Sequence, residues 1–176
     1  MKRNILTIIY IVLLIFLIFF IQLYMINPRE LFGVKPNLIL ILSIVISLWF
    51  GLYVGGISSF FLGIITDILF GSSTIGIFTI SYTIVGVVVG ALNNNYRKES
   101  KMSLVYVSIL ATLVFEMVQC FCYLLFFNSY TNIFYLLKQI IVSSLLNIVI
   151  VYIIYSIIFK ITEYIEDRII QNASGL

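Results

Sequence analysis

The sequence predicts an all-α membrane protein: six transmembrane helices packed as a bundle in a single integral membrane domain over 1–176. Three observations predict it. Of the 176 residues, 62% are hydrophobic and only 10% are charged, where a soluble domain carries roughly 25%. Apolar runs long enough to cross a bilayer recur, and nothing between them is long enough for a soluble domain. Within several of these runs the few polar and small residues return at helical spacing, so one side of the helix differs from the rest.

The first span is 5–26, preceded by Lys2 and Arg3 and interrupted only by Thr7 and Gln22. It exceeds the apolar core of a signal peptide, about 7–15 residues, and no small-residue cleavage site follows, so it reads as retained. Residues 27–37 form the first loop, bracketed by Pro28 and Pro36, each of which disfavours helix at the residue before it. The second and third spans are 38–53 and 54–70, with Gly51, Gly55 and Gly56 making the turn and Trp49 near it as an interfacial aromatic. An ordinary hairpin and a re-entrant pair both fit. The fourth span is 75–92, the fifth 102–127, and the sixth 133–160, long enough at about 42 Å to tilt or project. The tail beyond it reads as an interfacial extension of the last helix.

The stretch 51–71 organises the chain. At 100° per residue, Gly56, Ser59, Gly63 and Asp67 fall within roughly 80° of one another. Small residues let helix backbones approach in lipid. An acid inside such a span costs about 2.5–3.5 kcal/mol or more and turns inward to a partner. In the fourth span Tyr82, Gly86 and Gly90 share a face with Thr79 and Asn93, and Gly86 and Gly90 form a GxxxG pair. In the fifth, Ser108, Thr112, Glu116, Gln119 and Tyr123 form a polar stripe. In the sixth, Gln139, Ser143 and Asn147 lie on successive turns. Asn147 is the candidate partner for Glu116, and Lys138 for Asp67.

The charge of +3 is unremarkable, and the basic residues sit in loops rather than along a nucleic-acid stripe. With both termini inside, the inner segments hold Lys2, Arg3, Arg97, Lys98, Lys101, Lys160 and Arg168, against Arg29, Lys35 and Lys138 outside, as the positive-inside rule requires. There is no His, hence no Ser-His-Asp set, and no metal or cofactor constellation is expected. Cys120 and Cys122 are two apart, point to different sides of a helix and read as small buried hydrophobes.

Lys35-Pro36-Asn37 before a span, then Gly55-Gly56, Gly63, Asp67, Gly71, Gly76 and Tyr82, in that order and spacing, resemble the MreD family of rod shape-determining membrane proteins. The likeness is best over about 35–95, and Glu116 stands where that family tends to carry an acid. Leu52 and Tyr53 depart from it, since members often have a basic residue there. The resemblance implies a non-enzymatic subunit of the bacterial cell-elongation machinery. It would bind MreC and work with MreB, RodA and a class B penicillin-binding protein in lateral peptidoglycan synthesis. It also implies a bundle like the S components of energy-coupling-factor transporters, with a cavity open outward.

Two readings of different class follow. In the first, the chain is a scaffold: the small-residue faces hold the bundle or a partner's span, and Asp67 and Glu116 fix register. In the second, it is the substrate-binding subunit of a vitamin or small-solute transporter, with Asp67, Glu116, Gln119 and Asn147 lining a pocket. An enzyme fits poorly, because two lone acids without His or metal offer little chemistry. Both acids also have a purely structural reading, as protonated or hydrogen-bonded packing groups.

Overall fold

The computed structural model describes residues 15–26, 33–70, 76–93, 101–127, 134 and 137–152. Expectations for residues 5–14, most of the loops, and everything from 153 to the tail lie outside the described residues. Among the described residues there are five helical elements. Helix α1 is Ile15–Tyr24, loosening into a π turn at Gln22–Ile26. Helix α2 is Leu38–Phe70, α3 is Ile77–Ala91, α4 is Lys101–Phe127 and α5 is Leu137–Tyr152. Two of them, α2 and Met102–Phe126 within α4, are long and apolar enough by length and composition to cross a membrane.

Helix α2 is not a single rod. Gly51 has φ 80 and ψ −173, a non-helical conformation that suits glycine because it has no Cβ. On either side of it the chain folds back on itself. Ser43 Oγ lies 2.7 Å from Ser59 Oγ, although sixteen residues of straight helix would separate them by about 24 Å. Four residues nearer the bend, a methyl group added to Gly55 would sit 2.8 Å from Ser47 Cα. The two limbs, 38–50 and 52–70, are therefore an antiparallel hairpin that reverses at one residue.

The boundary between second and third spans thus falls at Gly51, two residues before the position expected from sequence. Gly55 and Gly56 belong to helix, not to the turn. The limbs are unequal, about 20 Å and 28 Å, and the first is shorter than the roughly 30 Å of a hydrocarbon core. That first limb is the centre of the molecule. Ile39, Leu40, Ile41, Ile44, Val45 and Leu48 are all buried. Trp49 is buried as well, at 7% exposure, so it is a core residue and not the interfacial aromatic its position suggested.

A bend of this kind leaves carbonyls at the end of the first limb without their helical donors. Asn93, just past the end of α3, supplies one: its Nδ2 donates to the Leu48 carbonyl. The same side chain is 3.9 Å from where a Cβ on Gly51 would be. Asn93→Ala should therefore cost about 1–3 kcal/mol, the usual penalty for a buried polar group stripped of its partner. Chemical unfolding in mixed micelles, followed by circular dichroism, reads that loss directly.

Helix α4 shows how the bundle faces its surroundings. Leu104, Ser108, Ala111, Thr112, Phe115 and Glu116 are buried, while Tyr106, Leu110, Leu113, Met117, Phe121 and Leu125 are exposed. The polar side is inside and the apolar side is outside, the reverse of a helix packed in a water-soluble protein. The buried hydroxyls satisfy themselves locally: Ser47, Thr66, Ser81 and Thr112 each donate to the carbonyl four residues earlier, a bond available to Ser and Thr inside helices.

Candidate functional site

Two groups of polar and small residues are built into this frame. The first is the seam between the second limb of α2 and α3. The helices run antiparallel, and their glycines face one another's backbone. A methyl group on Gly63 would lie 2.5 Å from Thr79 Cα, and one on Gly90 2.6 Å from Leu52 Cα. Gly86 abuts the Ser59 side chain and the Gly55 carbonyl, and Gly56 faces Val87 Cγ2 at 3.1 Å. The small-residue faces of the two spans are thus spent on each other.

Asp67 closes the seam at one end. Its Oδ1 accepts from the Phe78 amide at 3.2 Å, and its Oδ2 accepts from the Thr79 amide at 2.8 Å and the Thr79 hydroxyl at 2.5 Å. The first amides of a helix have no partner within it, and α3 begins at a left-handed Gly76 that offers no side-chain cap. Asp67 takes that capping role from a neighbouring helix, where a carboxylate also complements the helix dipole. The pairing with Lys138 expected from sequence does not occur. Lys138 approaches Gly33 instead, its Nζ 4.0 Å from where a Cβ would be, because α3 occupies both Asp67 oxygens.

The second group surrounds a cavity of about 340 Å³ at the Asn37 end of the bundle. The start of α2, the start of α3, the middle of α4 and α5 all contribute to it. Asn37 is its structural hub. Its Oδ1 accepts from the Leu40 amide at 2.9 Å, capping α2, and from the Tyr82 hydroxyl at 2.9 Å. Its own amide donates to Asn147 Oδ1 at 3.4 Å. Gln22 of α1 holds the segment before it, donating to the Pro36 carbonyl at 3.0 Å and accepting from the Leu38 amide at 2.9 Å. Tyr82, 1% exposed, packs against Phe115 with ring centroids 4.9 Å apart and planes tilted by 50°.

Glu116 faces the cavity from α4 and is 8% exposed. Its oxygens accept from Gln139 Nε2 at 2.7 Å and Ser143 Oγ at 2.9 Å. Asn147, the partner expected from sequence, lies one turn further along α5 and donates to Thr112 Oγ1 at 3.0 Å. The stripes were legible but not their mutual register. Gln119 also lines the cavity, and its Nε2 is buried without an acceptor among the described residues.

Glu116, Gln119 and Asn147 therefore share one cavity, joined by Tyr82. Asp67 does not line it, which removes it from the pocket proposed for a transported solute. Gln22 and Asn37 were not singled out as site residues, although a lone glutamine in an apolar run is itself a signal of an inward partner. Among the described residues no group of three or more His, Cys, Asp or Glu is placed to hold a metal ion. Cys120 and Cys122 form no disulfide.

The sequence model of rod shape-determining protein MreD matches residues 2–165, nearly the whole chain. The chain belongs to the MreD family. No curated protein and no solved structure matches it. Membership makes this a rod shape-determining membrane protein, consistent with the outward apolar face of α4. The stretch that carries the resemblance has a physical content. Asn37 caps α2 and joins the cavity lining, Gly63 is a backbone contact, and Asp67 caps the next helix.

Proposed function

We propose that this MreD-family chain is a non-enzymatic scaffold of the cell-elongation complex. It binds MreC in the bilayer and, directly or through MreC, supports MreB, RodA and a class B penicillin-binding protein in lateral peptidoglycan synthesis. The observation that carries the reading is the family match across residues 2–165. Its shape supports a scaffold: the small-residue faces are consumed inside the bundle, so a partner span docks on the outward apolar faces. Six crossings with both termini cytoplasmic fit the distribution of Lys and Arg. In this orientation the Gly51 bend and Asn93 lie at the inner face, and the cavity opens outward.

Depletion of the chain in its own host tests the function. Rods should become spheres, and a plasmid copy should restore them. A photo-crosslinking residue placed in turn at Tyr106, Leu113 and Met117 on the outside, and at Ser59 in the seam, tests the mode of docking. Adducts with MreC are expected only from outward positions. The polar cavity is the one observation favouring a solute-binding transporter subunit as a second reading. Loss of solute uptake with cell shape intact, on deleting the chain, would select that reading.

A further inference from the structure

Neighbouring side chains on one face of α4 bring to the cavity hydrogen-bonding capacity that the fold does not exhaust. Glu116 is 8% exposed, and both its oxygens accept, from Gln139 Nε2 at 2.7 Å and Ser143 Oγ at 2.9 Å, as those of an ionised carboxylate do. Each oxygen keeps a further lone pair. Two neutral donors offset part of the cost of burying such a charge and do not cancel it. Lys35 lines the cavity too, but it has an interaction of its own, and no ion pair joins it to Glu116 among the described residues. Gln119 presents a buried N–H group with no acceptor among the described residues. Three residues apart on a helix, Glu116 and Gln119 lie side by side, their Cβ atoms about 5–6 Å from each other. Asn37, Tyr82 and Asn147, by contrast, are spent on one another and on Thr112.

A ligand that completes this pair brings a positive charge to Glu116 and an oxygen acceptor to Gln119. A neutral diol or amide would meet the hydrogen bonds and leave the carboxylate without a counter-charge. Rings on the cavity wall favour the cation as well: Tyr82 and Phe115 stand 4.9 Å apart, with Phe78 6.4 Å from each, and aromatic faces attract ammonium groups. At about 340 Å³ the space lies within the range of small-molecule sites, roughly 300–1,000 Å³. We infer that this cavity binds an organic primary ammonium group with an oxygen on the next carbon. The ammonium donates to Glu116, and the oxygen accepts from Gln119. Such a group occurs as a free amino alcohol and at the end of an aminophospholipid headgroup. The inference rests on the cavity alone and stands whichever partner the chain scaffolds.

Two probes separate the sources. Ethanolamine is titrated into the detergent-purified full chain and followed by calorimetry, with ethylene glycol as the neutral compound of matched size. The chain is also placed in nanodiscs of phosphatidylethanolamine and phosphatidylglycerol, and native mass spectrometry reads the retained lipid. Saturable binding of ethanolamine, at least about tenfold tighter than ethylene glycol, identifies a solute site. Selective retention of phosphatidylethanolamine without it identifies a headgroup site. In either case Glu116→Gln, which keeps the shape of the side chain and removes its charge, should weaken binding more than about tenfold. Gln119→Leu removes an unsatisfied buried donor, so it should fold at least as well as the parent and bind severalfold more weakly, whether or not Glu116→Gln folds. The inference is overturned if the folded parent binds neither probe, if ethylene glycol binds as well as ethanolamine, if both lipids are retained equally without ethanolamine binding, or if either folded variant binds like the parent.

Discussion

Asp67→Leu should cost several kcal/mol and release α3 from the hairpin. The substitution strips acceptors from two backbone amides and one hydroxyl at a site only 3% exposed. Each buried donor left unpaired costs about 1–3 kcal/mol. The expected result in mixed micelles is a large shift of the unfolding midpoint to lower sodium dodecyl sulfate. Asp67→Asn retains one acceptor oxygen and should fall between the parent and Asp67→Leu. If Asp67→Leu unfolds within about 0.5 kcal/mol of the parent, like an ordinary surface substitution, the cross-helix cap does not hold α3 in place.

Gly63→Ala should be among the most damaging single methyl groups at the described glycines. Its Cβ would stand 2.5 Å from Thr79 Cα and 3.1 Å from the Phe78 carbonyl oxygen. Both are backbone, so no rotamer change relieves the contact. Overpacking in a well-packed core costs about 1–3 kcal/mol, and a forced separation of α2 from α3 also stretches the Asp67 bonds to Phe78 and Thr79. Gly63→Leu should leave no folded protein. Ile68→Ala, at a position 76% exposed, is the control and should be near neutral. Protease resistance of the purified variants, compared at equal detergent, measures the difference.

The seam was legible in the sequence because it depends on spacing within one helix. Gly56, Ser59, Gly63 and Asp67 share a side at 100° per residue, and in lipid that side has an obvious use. The cavity was legible only in pieces. Glu116 and Asn147 were recognised as inward-facing, but periodicity along two helices does not fix how far one slides past the other. The real partners, Gln139 and Ser143, lie about two turns and one turn nearer the start of α5 than Asn147. The contacts of Asn37 with Tyr82 and Asn147 span 45 and 110 residues, beyond any local pattern.

The bend was nearly legible. Three glycines, 51, 55 and 56, are equivalent by composition, and only the positive φ of Gly51 distinguishes the one that reverses the chain. The partner expected for Asp67 was wrong for a related reason. Counting charges points to a lysine, whereas uncapped backbone amides eleven and twelve residues later offer two bonds and the Thr79 hydroxyl a third. Trp49 was misplaced because its distance from a turn says nothing about which side of the limb it occupies.

The reversal at Gly51 decides whether the polar and small residues of this chain meet each other or are strung along a rod. Ser43→Cys with Ser59→Cys, in a chain whose Cys120 and Cys122 are replaced by serine, tests it in native membranes. The two hydroxyl oxygens are 2.7 Å apart, within reach of a disulfide once sulfur replaces them. Mild oxidation should link the pair inside one chain, leaving no thiol for a maleimide reagent under denaturing conditions, while single-cysteine controls stay fully reactive. Full labelling of the double variant after oxidation, as a continuous helix with about 24 Å between the positions demands, would contradict the fold and the site built on it.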